Sequence, residues 1–102
     1  MILEIYDKAS WHIDECVPKE IVLKHFEQMF TWLNNKNMLN DDGKEILNIG
    51  IDESVSLNEN MLTSEGNKFM DSYYDKIVSE SLYDVSKEEK LLDECYKAEK
   101  NL

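Results

Sequence analysis

The stretch PKEIVLKHFEQMFTWLNNK, residues 18–36, decides the fold class because it has the pattern of one long amphipathic helix. Pro18 opens the stretch, and its fixed φ and missing N–H suit the first turn of a helix. Its core-facing stripe has apolar residues at the three-to-four spacing of a helix: Val22, Phe26, Met29, Phe30 and Leu33. His25 and Trp32 flank that stripe. The stretch therefore predicts a helix packed against other elements of a helical domain.

A second long helix is predicted over residues 63–82. One stripe of this segment carries Gly66, Phe69, Met70, Tyr73 and Ile77, with Tyr74 and Val78 widening it. Gly66 costs about 1 kcal/mol relative to alanine inside a helix. We therefore expect Gly66 to allow the close approach of a neighbouring element.

Capping signals predict two further helices. Asp42 and Glu45 have the spacing of a capping box, and Gly50 would end the short helix that they begin. Ser86 and Glu89 have the same spacing at the start of a C-terminal helix. The fold expected from these segments is mostly α, with two long helices, a C-terminal helix and short helices between them.

Two segments give weaker patterns. Residues 1–17 lack helical periodicity and predict an irregular arm, with a short strand formed by Ile2, Leu3, Ile5 and Tyr6. Residues 51–57 are compatible with either a short helical turn or an extended segment. A lone strand near the N-terminus would lack an obvious pairing partner.

Length and composition predict one domain over residues 1–102, with a core large enough to fold without a metal or a disulfide. Cys16 and Cys95 are far apart and have no metal-binding spacing, which favours free thiols in a reducing compartment. The N-terminus has no signal-peptide pattern, and no apolar run reaches the roughly 18–20 residues of a membrane span. We therefore expect a cytoplasmic protein.

Charge is the strongest compositional signal. The chain has 22 acidic residues against 11 basic ones, which gives a net charge of −11. Such a surface repels nucleic acid and anionic membranes and attracts basic proteins, although acidic surfaces also serve solubility alone. All the basic residues are lysines, and the absence of arginine argues against phosphate recognition.

Catalytic and metal-binding patterns are weak. His12 and Asp14 are two residues apart and could form a general base, but His12 is better explained as a residue that bonds the backbone and packs on Trp11. His12 and His25 could form a two-histidine metal site only with ligands that the sequence does not indicate. We expect no enzyme activity, no metal and no cofactor.

Paired acidic residues could suggest a calcium site. Their spacing lacks the alternating ligands of a calcium-binding loop. We therefore predict that these pairs are solvated surface: Asp14-Glu15, Asp41-Asp42, Asp52-Glu53 and Glu88-Glu89.

Two short motifs are YDKASWH at residues 6–12 and TSEGNKF at residues 63–69, the second followed by Tyr73-Tyr74. These motifs resemble those of a family of small bacterial immunity proteins that are encoded beside polymorphic toxins. The resemblance covers about residues 5–83. It implies a scaffold role for the shared motif residues, with the first motif tying the N-terminal arm to the helices. These residues are Tyr6, Asp7, Trp11, His12, Gly66, Phe69 and Tyr73.

The resemblance implies a cytoplasmic inhibitor, a monomer or weak dimer, that binds a cognate toxin such as a basic nuclease domain. Steering by opposite charge would speed that encounter. The predicted contact surface is the most acidic segment of the chain, which has one lysine: Asp41, Asp42, Glu45, Asp52, Glu53 and Glu59.

Two alternatives belong to other classes of protein. A phage-encoded mimic of nucleic acid that blocks a host nuclease complex would share the acidity and would carry carboxylates spaced like phosphates. A small enzyme would use His12 and Asp14.

Overall fold

The computed structural model describes residues 4–100, which form five α-helices, one 3-10 turn and two short strands. The elements in chain order are β1 (Ile5–Lys8), α1 (Ala9–Asp14), α2 (Lys19–Asn35), α3 (Asp41–Ile49), β2 (Ser56–Asn58), the 3-10 turn (Glu59–Met61), α4 (Ser64–Ser81) and α5 (Val85–Lys100). The predicted mostly α fold is confirmed. Ile2 and Leu3, predicted to be part of a strand, lie outside the described residues.

The two long helices are found where their periodicity predicts them. The whole predicted stripe of α2 is fully buried, and Phe69 and Ile77 of α4 are fully buried as well. Tyr74 is buried while Tyr73 is half-buried, so the tyrosine that widens the stripe is the one that reaches the core. Neighbouring residues on a helix point about 100° apart, so both rings cannot face the same core.

Gly66 allows the close approach that its position predicts. A Cβ atom built there would lie 2.5 Å from the main-chain oxygen of Met38. The backbone of the segment before α3 therefore packs directly on the first turn of α4.

The caps of α3 and α5 differ from the predicted ones. Asn40, and not Asp42, caps α3, because its side chain accepts the Gly43 N–H at 3.0 Å. Asp84, and not Ser86, offers an oxygen to the first amides of α5, at 3.1 Å from both Ser86 N and Lys87 N. In both helices the acceptor lies two residues before the predicted cap, where another short polar side chain is available.

The N-terminal segment is more regular than expected. β1 pairs antiparallel with β2, Asp7 lies opposite Leu57, and the register shifts between Ile5 and Asp7. The predicted irregular arm is wrong over residues 9–14, which form α1. A six-residue helix is too short to show clear helical periodicity. Residues 56–58, left open between helix and extended chain, are strand β2.

The elements pack around one continuous core. α5 packs against α4 and α2, α1 packs against α2, and α3 packs against α2 and the 3-10 turn. Within residues 4–100, no helix is both long enough and apolar enough to cross a membrane.

Candidate partner-binding site

An open groove of about 370 Å³ lies between α3 and β2. We call it the acidic groove. It is lined by Ile46, Ile49, Gly50, Asp52, Ser54, Val55, Ser56, Asn58 and Met61. Val55 and Met61 are buried beneath it, whereas 77% of Ile49 is exposed to solvent. A large aliphatic side chain this exposed is available for contact with a partner.

Helix α3 places acidic and apolar side chains along the same side of the groove. Asp42 and Glu45 lie one turn before Ile46 and Ile49, so the four residues form one stripe. Lys44 lies about 200° around the helix from Asp42, on the opposite face. The groove side of α3 is therefore apolar and acidic without a lysine.

The turn after α3 holds the next carboxylate in place. Asp52 accepts hydrogen bonds from the Ser54 amide at 2.8 Å and from the Ser54 hydroxyl at 2.5 Å. These bonds lower the pKa of Asp52, and the charge of Lys19 adds to the effect. Asp52 therefore stays negatively charged at the groove well below neutral pH.

Glu53 is held only loosely. Its carboxylate lies 3.3 Å from the ammonium group of Lys19, and both side chains are more than half exposed. An exposed ion pair of this kind contributes little free energy, so a partner could replace Lys19 at small cost.

The predicted contact residues differ in their exposure and in their distance from the groove. Asp41, Asp42, Glu45, Asp52 and Glu53 are all exposed, and of these Asp52 lines the groove itself. Glu59 is half-buried, and its carboxylate accepts the Glu4 N–H at 3.1 Å. Glu59 therefore supports the strand pair and offers less to a partner than predicted.

A second group of polar side chains runs from two half-buried residues, Tyr83 and His12, into the core, and we call it the buried polar chain. It joins Tyr83, His12, Asp7, Tyr74, His25 and Glu88 in that order. His12 Nε2 lies 2.7 Å from both carboxylate oxygens of Asp7, and its Nδ1 contacts the Tyr83 hydroxyl. The Tyr74 hydroxyl donates to Asp7 Oδ2 at 2.5 Å.

The other half of the buried polar chain lies deeper. His25 Nε2 is 3.0 Å from the Tyr74 hydroxyl, and His25 Nδ1 is 2.5 Å from Glu88 Oε2. His25 is 1% exposed and Glu88 is 0% exposed. The prediction that Glu88 belongs to the solvated surface is therefore wrong.

The Tyr74 hydroxyl links the two halves of the buried polar chain, because it donates to Asp7 Oδ2 and its oxygen also lies 3.0 Å from His25 Nε2.

Two residues with a left-handed backbone conformation place the Tyr83 side chain beside the buried polar chain. Leu82 and Tyr83, which follow α4, have φ of 47° and 69°. Such a conformation costs roughly 1–2 kcal/mol for each residue other than glycine. The contact of Tyr83 with His12 helps to offset that cost, and burial raises the pKa of the Tyr83 hydroxyl, with the Asp7 charge adding to the effect.

These contacts correct both interpretations of His12. Its partners are Asp7 and Tyr83, while Asp14 is exposed, so the predicted pair of His12 with Asp14 is wrong. The expected bond to the backbone with packing on Trp11 is wrong as well. Both ring nitrogens are engaged with protein groups. Residues 4–100 contain no cluster of three His, Cys, Asp or Glu side chains suited to a metal.

The two motif segments meet in the structure. The Tyr6 hydroxyl donates to Asn67 Oδ1 at 2.9 Å, and Asp7 accepts the Tyr74 hydroxyl. Gly66 and Phe69 are buried between these contacts, whereas Tyr73 is half-buried. Trp11 does not reach the core: it is 49% exposed, with the Lys8 ammonium 6.0 Å from its ring centroid.

Reasoning from the sequence treated His25 as a residue beside the apolar stripe or a possible metal ligand and Glu88 as solvated surface, and it did not predict that the two meet. A signal was present for Glu88, because Glu88, Leu92 and Cys95 follow the spacing of one helical face, and the last two are buried. A glutamate on the apolar face of a helix implies a buried partner.

Comparison of the chain with protein-family models, with curated proteins and with solved structures found no match.

Proposed function

We propose that this protein is an immunity protein, which binds and neutralises a basic bacterial toxin domain through the acidic groove. The observation that carries the proposal is an exposed apolar side chain, Ile49, which lines the same groove as Asp52 and lies on the same stripe of α3 as Asp42 and Glu45. The resemblance of the two motifs to immunity proteins supplies the class of partner.

The groove has the two parts that a fast and tight complex needs. Burying an exposed isoleucine side chain such as Ile49 is worth about 1.5–3 kcal/mol. The surrounding carboxylates and the net charge of −11 attract a basic protein over long range and raise the rate of encounter. A nuclease suits this surface, because the carboxylates could occupy the basic groove that binds phosphates.

The buried polar chain supports the fold under this proposal. It joins β1, α1, α2, α4 and α5 and the turn between the last two helices through side-chain bonds. A rigid scaffold lets the groove bind without paying for its own ordering.

The genomic neighbourhood and a pull-down test the proposal together. We expect a toxin-domain gene directly upstream, and the purified toxin domain should form a stable complex with this protein and lose activity in it. A matched variant, Ile49→Asp, should weaken capture, since it removes the apolar contact without disturbing a buried residue. A metabolic operon around the gene, together with failure of the chain to bind any adjacent basic domain, would contradict the proposal.

A further inference from the structure

The free edge of β2 faces the acidic groove. Among residues 4–100, β2 pairs with β1 alone, so its side away from β1 has no strand neighbour in this part of the chain. Ser56 and Asn58 of β2 both line the groove. The edge therefore borders the groove.

The main-chain bonds between the strands show which residues of β2 face β1. The Ala9 N–H donates to Val55 O at 3.1 Å, and the Glu59 N–H donates to Glu4 O at 3.0 Å. In an antiparallel pair, alternate residues point their N–H and C=O groups towards the partner strand and the residues between them point away. Residues 55, 57 and 59 therefore face β1, and Ser56 and Asn58 present their N–H and C=O groups to the groove.

The edge of β2 that faces the groove is free of other main-chain groups in the part of the chain that the structure describes. Within residues 4–100, Ser56 and Asn58 make no main-chain hydrogen bond outside the strand pair. Their side chains bond locally, since Asn58 Nδ2 donates to Ser56 Oγ at 3.1 Å and Asn58 Oδ1 accepts the Asn60 N–H at 2.9 Å. An unpaired strand edge is a template for another strand.

The residues around the free edge of β2 indicate which kind of partner strand would fit there. Ile46, Val55 and Met61 form an apolar floor beside β2, and Ile49 extends it to the outside. Asp52 lies on the rim, and Asp42 and Glu45 lie on the groove side of α3. Side chains of a strand alternate between two faces, so a matching segment alternates apolar with basic residues.

We infer that the acidic groove binds an extended segment of the partner protein, which adds as a third strand to the edge of β2 at Ser56 and Asn58. Apolar residues of this segment lie on the groove floor, and lysines or arginines between them face the carboxylates. Main-chain bonds supply affinity in this mode of recognition, and the side chains supply specificity. The inference rests on the proposed function, since it names how that same surface recognises its partner.

A synthetic peptide tests the inference without the toxin. The probe is the blocked peptide Lys-Val-Lys-Val-Lys-Val-Lys, titrated into the ¹⁵N-labelled full chain and followed by NMR. We expect the amides of Ser56 and Asn58 to shift and to exchange more slowly with solvent when the peptide is bound. The matching peptide with glutamate in place of lysine should bind at least tenfold more weakly.

A pair of variants isolates the main-chain bond. Ser56→Pro removes the N–H that faces the groove, and proline is tolerated on edge strands. It should weaken binding of the lysine peptide about three- to tenfold, whereas Ser56→Ala, which keeps the N–H, should stay within about twofold of the wild type. Circular dichroism checks that both variants are folded. If Ser56→Pro does not fold, slowed exchange of the two amides in the wild type decides the question.

Three results would overturn the inference: equal affinities of the folded Ser56→Pro and Ser56→Ala variants, unchanged exchange of Ser56 and Asn58, or equal binding of the two peptides. None of these depends on the toxin. If the protein binds the lysine peptide normally but does not capture the toxin, the proposed function is refuted, while the inference that β2 binds an added strand is not.

Discussion

The carboxylates of the buried polar chain and those of the acidic groove are chemically alike and have opposite roles. Asp7 and Glu88 are buried, Asp7 contacts His12 and Tyr74, and Glu88 contacts His25 through Oε2 while its Oε1 has no hydrogen-bond partner among the described residues. Asp52, in contrast, is exposed, and it accepts its hydrogen bonds from Ser54 in the same turn. Burial and the supply of donors decide whether an acidic residue of this chain stabilises the fold or remains available to a partner.

The comparison predicts a separation of effects. A change in the buried polar chain should lower the free energy of unfolding and leave partner binding by the folded protein intact. A change in the acidic groove should do the reverse.

Glu88→Ala should destabilise the fold by about 3–5 kcal/mol, because it leaves the buried His25 without its partner. Urea unfolding followed by circular dichroism measures the change. The matched control is the double variant His25→Leu with Glu88→Leu, which removes both polar groups and should cost less than Glu88→Ala. A cost for Glu88→Ala below about 1 kcal/mol would show that the His25–Glu88 contact does not hold the helices together.

Tyr74→Phe should flatten the loss of stability at alkaline pH. Burial, followed by the Asp7 charge, raises the pKa of Tyr74 well above its ordinary value of 10.0. Its contribution is complete below pH 10 and is lost as the pH rises from there towards the folded pKa. Above pH 10 the unfolded chain releases this proton first, so the free energy of unfolding falls by about 1.4 kcal/mol per pH unit for this group.

Urea unfolding between pH 8 and pH 11.5 measures that slope in the wild type and in Tyr74→Phe. The variant should have the shallower slope above pH 10 and the same slope below it. Identical slopes in the two proteins would contradict the burial of the Tyr74 hydroxyl beside Asp7.

Asn40→Ala should destabilise the protein by about 1 kcal/mol, because it removes the cap of α3. Asp42→Ala, the change at the position that the sequence favours as the cap, should cost less, since Asp42 is exposed and contributes through the helix dipole. Thermal unfolding compares the two variants. A larger loss in Asp42→Ala would mean that Asp42 is the cap after all.

The long helices could be predicted from sequence because their signal is local. Val22, Phe26 and Met29 repeat with helical spacing, and so do Phe69 and Ile77. Burial along one face then follows from that spacing alone. The same reasoning placed the ends of these helices within one or two residues.

The predicted caps of α3 and α5 are each two residues away from the observed ones, because each helix start offers two suitable acceptors. Asn40 and Asp42 both offer a side-chain oxygen near the start of α3, and so do Asp84 and Ser86 near the start of α5. Sequence spacing does not decide between acceptors two residues apart. The path of the incoming chain decides it.

The contacts within the buried polar chain and the acidic groove could not be predicted from the sequence, because they join residues that are far apart in the chain. The pairing of β1 with β2 spans about fifty residues, and His25 meets Glu88 across 63 positions. The acids of the groove could be predicted from charge. The apolar floor could not, because it forms only when α3 and the β2 segment pack together.

The rate at which this protein associates with the toxin domain shows whether the acidic groove is the binding surface. We would measure it by stopped flow at low and high salt for Asp52→Lys with Glu53→Lys, and for Glu89→Lys with Glu94→Lys as a control of equal charge on α5. We expect about tenfold slower association for the first variant at low salt, a smaller effect at high salt, and a clearly smaller effect for the control. Equal slowing by the two variants would contradict this expectation, because net charge and not the acidic groove would then govern binding.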